Sequence, residues 1–222
     1  MTVPGLTLNR RSFLLAAGTT AATGLMPFAA SAEALPAKPD DDINVIGPKP
    51  GYSPQIGTLV SMLTWMSPAA TSGLKGVTQP QLDWLFDANA NSIGALLLHL
   101  AAAEVLYQRV TFDNINPDKL GADFDKQWGA AMDLGDKGRK EIKGHDLAWY
   151  TNALHEVREK SLAEFKKRDD AWLMTVDKTW GWGPTNNYCK WFHVCEHISH
   201  HAGQIDLLIK RVPGAKATTE GL

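Results

Sequence analysis

At 222 residues, 44% of them hydrophobic and 21% charged, the chain has the composition of one globular domain with a real core, which excludes disorder over most of its length. Its formal net charge is −2, and this mild acidity excludes nucleic acid as a partner held by a basic surface.

In chain order, the first thirty-two residues stand apart. Asn9-Arg10-Arg11-Ser12-Phe13-Leu14-Leu15 is followed by a small, apolar run ending Ala30-Ser31-Ala32, the pattern of an export signal with its cleavage site. The run is too short and too rich in Ala, Gly and Thr for a stable membrane span. The paired arginines resemble the twin-arginine type, which exports proteins already folded, and this predicts a periplasmic or exported bacterial protein. An ordinary secretory signal with two adjacent arginines is the alternative. Removal of residues 1–32 leaves 20 basic residues against 24 acidic ones, a balance of −4.

Residues 33–52 contain Pro36, Pro39, Pro48 and Pro50 with the acidic run Asp40-Asp41-Asp42, and read as an extended linker or an arm draped on the domain. The folded domain is expected over 53–214, followed by a flexible tail over 215–222. Ser53-Pro54 reads as an N-cap with proline at the first helical position, and Ile56, Leu59, Val60, Leu63 and Met66 recur at helical spacing, predicting a first helix that ends near Gly73 to Gly76. Thr78-Gln79-Pro80-Gln81 starts a short helical turn. A second long helix is predicted from Ser92 to about Val110.

The stretch from Thr111 to Gly144 is more polar and holds Asn114, Pro117, Gly121, Gly135 and Gly138. It reads as a long connection in which Phe124, Trp128, Ala131, Met132 and Leu134 decorate at most a partial helix. Asp146 caps a third long helix carrying Trp149, Leu154, Val157, Leu162 and Phe165. Thr179-Trp180-Gly181-Trp182-Gly183-Pro184 cannot be a continuous helix and reads as an aromatic, glycine-hinged loop or short hairpin. A last helix covers about Asn186 to Arg211 and stops at Pro213-Gly214. Four long helices with one long crossover predict an all-α four-helix bundle.

Cys189 and Cys195 are the only cysteines. On one continuous helix their spacing puts them roughly 9 Å apart, beyond disulfide reach, so the expectation is two free thiols or a helix that starts after Cys189.

Four of the seven histidines fall between Trp191 and Gln204. At about 100° per residue, His197 and His201 lie roughly 40° apart on one helix face, the spacing by which a helix offers two imidazoles to one metal. Val194, Ile198, Ile205 and Ile209 project beside them, and Glu196, Ser199, Asp206 and Lys210 to the far side, so the pair sits at the edge of the buried face. His193 precedes His197 by one turn, and His200 is at the polar margin. A hydrogen-bonded core pair or a solvated cluster would give the same pattern, so the metal reading needs a third ligand from elsewhere. His99 is the candidate, a single imidazole in the apolar run Ile93-Gly94-Ala95-Leu96-Leu97-Leu98-His99-Leu100-Ala101-Ala102-Ala103-Glu104, where its nitrogens must be satisfied.

The segment Gly76 to Trp84, the run Asn91 to Glu104 and the block His197-Ile198-Ser199-His200-His201-Ala202-Gly203-Gln204-Ile205 ending at Pro213-Gly214 resemble the DinB/YfiT superfamily of metalloenzymes, over nearly all of residues 53–214. That resemblance implies a four-helix bundle whose divalent ion, zinc or nickel, is held by one histidine of the second helix and two of the last, here His99, His197 and His201. Glu104 matches a recurrent acidic residue but projects away from His99, so it reads as structural. Gln204 could orient a ligand or a bound water. His193 is an additional histidine, expected as a proton carrier or a neighbour rather than a fourth ligand.

Three neutral imidazoles leave an open position, the arrangement of a catalytic zinc site. The ion can activate water or bind a thiolate. Members of the resembled superfamily that are understood act as S-transferases or isomerases dependent on small cellular thiols. Export argues the other way, because reduced thiols belong to the cytoplasm, so the expectation from sequence is hydrolysis of a small molecule by metal-activated water, with thiol S-transfer as the alternative. His193 and His200 are the candidate proton carriers, and Trp180 and Trp182 candidate pocket walls, although those tryptophans would also serve simply to pack the loop. A non-catalytic metal-binding or stress-associated protein, in which the ion ties two helices together, is the other class. The partner expected is a small-molecule substrate, and a homodimer is compatible with the sequence.

Overall fold

The computed structural model describes residues 43–215; the export signal expected over residues 1–32 lies outside them, as does nearly all of the expected tail. Four long helices form the bundle: α1 (Pro54–Met66), α3 (Ile93–Thr111), α6 (Leu147–Phe165) and α8 (Asn187–Ile209). Four shorter helices fill the connections among the described residues: α2 (Gln79–Leu82), α4 (Ala122–Asp133), α5 (Gly135–Glu141) and α7 (Asp170–Met174). The one sheet described is a two-residue antiparallel pairing of β1 (Val176–Asp177) with β2 (Thr185–Asn186), in which Val176 faces Asn186. The all-α bundle expected from the sequence is therefore the fold.

Three local differences from the sequence reading have physical causes. The first helix ends at Met66, not near Gly73, because Pro68 lacks the N–H that would continue the ladder; a 3-10 turn over Ser72–Leu74 follows. Ser53 precedes the helix but its side chain does not cap it. Its hydroxyl donates to Asp170 Oδ1 (2.5 Å), and that carboxylate, brought from α7, accepts the free N–H groups of Gln55 and Ile56 at 3.0 and 3.2 Å. The Ser53 hydrogen bond, with the two backbone donors, holds the Asp170 carboxyl below its usual range. The long crossover is the third difference, since Phe124, Trp128 and Ala131 are all buried on one face of α4 and make it a true helix against α3.

α3 is the centre of the bundle. It is long and apolar enough to cross a membrane by length and composition, yet 83% of its most apolar window is buried by the surrounding helices. Ser92 caps its start by accepting from Ala95 N at 3.1 Å. The arm preceding α1 packs along that helix: Gly47 N donates to the Ser61 hydroxyl at 3.1 Å, and any side chain at Gly57 would collide with the Lys49 backbone.

A buried acid and a half-buried arginine join three helices. Glu104 on α3 is 4% exposed and receives Arg158 of α6 in a two-pronged pair, Nε to Oε1 at 2.9 Å and Nη2 to Oε2 at 2.8 Å. Ser161 adds a hydrogen bond to Oε1 at 2.6 Å, and Arg158 Nη1 reaches the Leu63 carbonyl of α1 at 2.8 Å. Glu104 is thus structural, as its projection from α3 suggests. Removing it strands a buried guanidinium, a loss of about 3–5 kcal/mol for a broken buried pair. Urea denaturation of Glu104→Ala should show a loss of that order, and the metal content of whatever remains folded should equal the parent's. A loss of metal at unchanged stability would instead make Glu104 a ligand.

Candidate metal centre

His99 comes from the middle of α3 and His197 and His201 from successive turns of α8, and the groove between the two helices brings the three imidazoles together. The Nε2 atoms of His99 and His197 are 3.2 Å apart, those of His197 and His201 2.9 Å, and the three potential ligand atoms all lie within 4.8 Å of one another. Two nitrogens on a tetrahedral zinc with bonds of about 2.0 Å stand about 3.3 Å apart. The observed spacing therefore suits a divalent cation.

The outer nitrogens make the same point. His99 Nδ1 lies 2.8 Å from the carbonyl oxygen of Ala131 on α4, and a carbonyl only accepts, so Nδ1 carries the proton and Nε2 presents its lone pair to the cluster. His201 Nδ1 is 2.8 Å from Gln204 Oε1, and with the amide in that orientation its Nε2 is likewise a lone pair. The Gln204 amide nitrogen then faces His200 Nε2 at 3.4 Å. His197 can give a single Nε2 proton to only one of these two acceptors. A cation satisfies all three at once, which no arrangement of the imidazole protons does.

Burial holds the cluster neutral. Desolvation pushes the His197 pKa down to about 3, with His201 and His99 adding to the effect. Desolvation likewise lowers His99 against the opposing hydrogen bond to Ala131, and lowers His201 against that to Gln204. At neutral pH the residues offer lone pairs rather than positive charge, the state in which imidazole ligates metal.

The other expected residues fall into two groups. His193 lies on the triad's flank, its ring stacked on His197 with centroids 5.4 Å apart and 25° between planes. Its Nδ1 pairs with Glu196 through a short contact, an acceptor that the sequence reading assigned only to the outer face. Trp182 meets His193 edge-on at 4.9 Å and Trp180 at 5.6 Å, while Tyr107 of α3 approaches His193 at 5.9 Å. The aromatic loop and the histidines are therefore neighbours, and Tyr107 is a member that the sequence did not flag. His200 is exposed on the far side of His201.

The aromatic loop is held to α8 by charge. Lys190, 2% exposed, donates to Asp177 Oδ2 at 2.8 Å and sits over the Trp180 ring at 4.3 Å. Both cysteines are on α8 and both are free, so the helix begins before Cys189. Burial pushes the Cys195 thiol up to about 12, which makes it inert rather than a nucleophile.

An all-α bundle with three convergent, neutral imidazoles from two facing helices is a candidate metalloprotein of the DinB-like kind. The sequence model of the mycothiol S-transferase family matches residues 58–214, most of the chain, and the chain belongs to that family, within the DinB/YfiT-like superfamily. The comparison with curated proteins found no match.

The Asp177 pair gives a pH dependence with a defined sign. Hydrogen bonds from Lys190 and Thr179 pull the Asp177 carboxyl down to about 2, below its unfolded value of about 3.9. A depressed carboxyl stabilises the fold above the unfolded value and loses that contribution as pH falls toward the folded one. Urea midpoints of the parent should drop between pH 4 and pH 2, and Lys190→Met should show a smaller drop over the same window.

Proposed function

We propose that the protein is a metal-dependent S-transferase that joins a small thiol of the mycothiol type to an electrophilic small molecule, with zinc or nickel held by His99, His197 and His201. The family match carries this reading. It reverses the preference from sequence for a hydrolase, which rested on the expected export signal, a segment outside the described residues. Export over the twin-arginine route goes with the hydrolase alternative, because small reduced thiols belong to the cytoplasm.

A divalent cation in the site supplies positive charge that favours the ionised form of a thiol, or of a water, brought to it. The chain's residues do the rest. His193 receives the thiol proton, because Glu196 engages its Nδ1 and leaves Nε2 for exchange beside the triad. His200 is the weaker candidate, since it faces solvent and its Nε2 is already met by Gln204. The sulfur electron pair then forms the new carbon–sulfur bond at the electrophile, whose leaving group or acquired negative charge takes up a proton. Tyr107, Trp180 and Trp182 form a chain of ring contacts beside His193, with Trp182 exposed enough to meet an organic substrate.

Metal analysis of the purified protein should find about one divalent ion per chain, and His99→Ala, His197→Ala and His201→Ala should each lower it sharply; retention by all three variants would end the metal reading. Assays of the metal-loaded protein should show thiol consumed one for one with thioether formed, abolished by chelation. Chelator-sensitive turnover of esters or amides without thiol would favour the hydrolase instead. Trp182→Ala, at a residue 57% exposed, should raise the KM for the electrophile about tenfold by loss of an aromatic contact, with metal content unchanged.

A further inference from the structure

α4 and α5 follow each other with only Leu134 between them. Were the helix continuous, the N–H of Gly135 would donate to the carbonyl of Ala131 four residues earlier. The backbone breaks instead at Leu134, which adopts φ 51° and ψ −138°, a conformation a β-carbon disfavours, and Gly135 follows at φ 53°. Both halves of the missing helical hydrogen bond are redirected. The donor, Gly135 N, goes to Asn91 Oδ1 at 3.2 Å, and the acceptor, Ala131 O, takes the Nδ1 proton of His99 at 2.8 Å.

Strain of this kind persists only where surrounding contacts hold it, and here they are concentrated on one short loop. Besides the Asn91 bond, Arg139 of α5 donates to the carbonyls of Asn89 and Ala90 at 2.9 and 3.4 Å. The turn that leads into α3 is therefore clamped to the break in the crossover. Through that clamp the same helix that carries His99 determines where the carbonyl facing His99 stands.

We infer that Asn91 is a positioning residue for the metal centre. By taking the Gly135 N–H it keeps the Ala131 carbonyl out of the helical ladder and available to His99, which fixes the tautomer that turns Nε2 toward His197 and His201. The inference rests on the reading that these three histidines hold a cation. It assigns a ligand-orienting role to a side chain eight residues before His99 and to a strained backbone junction in the crossover, neither of which belongs to the three-histidine cluster.

Zinc affinity, measured by competition with a chromophoric chelator, tests it together with the 15N chemical shifts of the His99 ring in the zinc-free protein. Asn91→Ala should weaken zinc binding about tenfold, the lower end for loss of a ligand's orienting partner, and should convert His99 from a single Nδ1–H form to a mixture. Asn91→Asp, which keeps an acceptor at the same place, should restore both to within about twofold of the parent. A residue that merely stabilised the turn would lower the melting temperature without moving the tautomer. The inference is overturned if Asn91→Ala binds zinc as the parent does, or retains the single tautomer. If the parent bound no more zinc than His99→Ala, the metal reading itself would fall, and the inference with it.

Discussion

Three imidazole nitrogens converging on one place are the constraint around which this bundle is arranged. Imidazole nitrogens repel one another when none carries a proton between them, and protonating them is opposed by burial, which holds His197 far below the usual histidine range. A cluster with that balance is costly unless a cation joins it. The surroundings enforce the costly form rather than relieve it, because the Ala131 carbonyl and Gln204 occupy the outer nitrogens of His99 and His201 and so leave the inner nitrogens without protons. The helices then need no movement to present a ligand set.

Holding α3 and α8 in register is the second requirement, and the core supplies it away from the site. Fully buried side chains such as Trp191, Tyr150, Phe165 and Leu97 fill the space among the long helices. The Glu104–Arg158 pair adds direction to that packing, since a two-pronged ion pair tolerates little sliding of α3 against α6. The triad is in turn flanked unequally. On one side its nitrogens are closed off by a carbonyl and an amide, and on the other His197 passes into rings, His193 and then Trp182 and Tyr107. Chemistry with an organic substrate suits the aromatic side.

The three candidate ligands were legible because periodicity and composition act on side chains: two histidines four apart on an amphipathic helix, and one imidazole among leucines and alanines. The same logic found the capping aspartate of α6, Asp146, but started α3 at Ser92 without recognising that serine as its cap. It undervalued α4, where the glycines at 121 and 135 outweighed a short apolar stripe, and in doing so it missed the group that fixes His99. That group is a main-chain carbonyl, and Ala131 carries no side-chain signal of the part its backbone plays. Asp170 is a related case, for Ser53 has the right identity and place to cap α1, yet a carboxylate more than a hundred residues away does so. Caps and orienting groups supplied across the fold depend on which elements meet, which local sequence does not encode.

The absence of a carboxylate from the triad bears on the chemistry. Among the described residues the cluster close enough to hold an ion consists of the three histidines alone. Glu104, the acid nearest in sequence to His99, is spent on Arg158, and Glu196 reaches the site only through His193. A divalent ion held by three neutral imidazoles keeps its full charge, whereas a carboxylate ligand would cancel part of it. An ion held by His99, His197 and His201 would keep that charge for an anion brought to it, and zinc, the softer of the common candidates, suits a thiolate. The neutral ligand set thus accounts for anion activation at such a site, of a thiol or of a water alike, and the choice between them comes from the family to which the chain belongs.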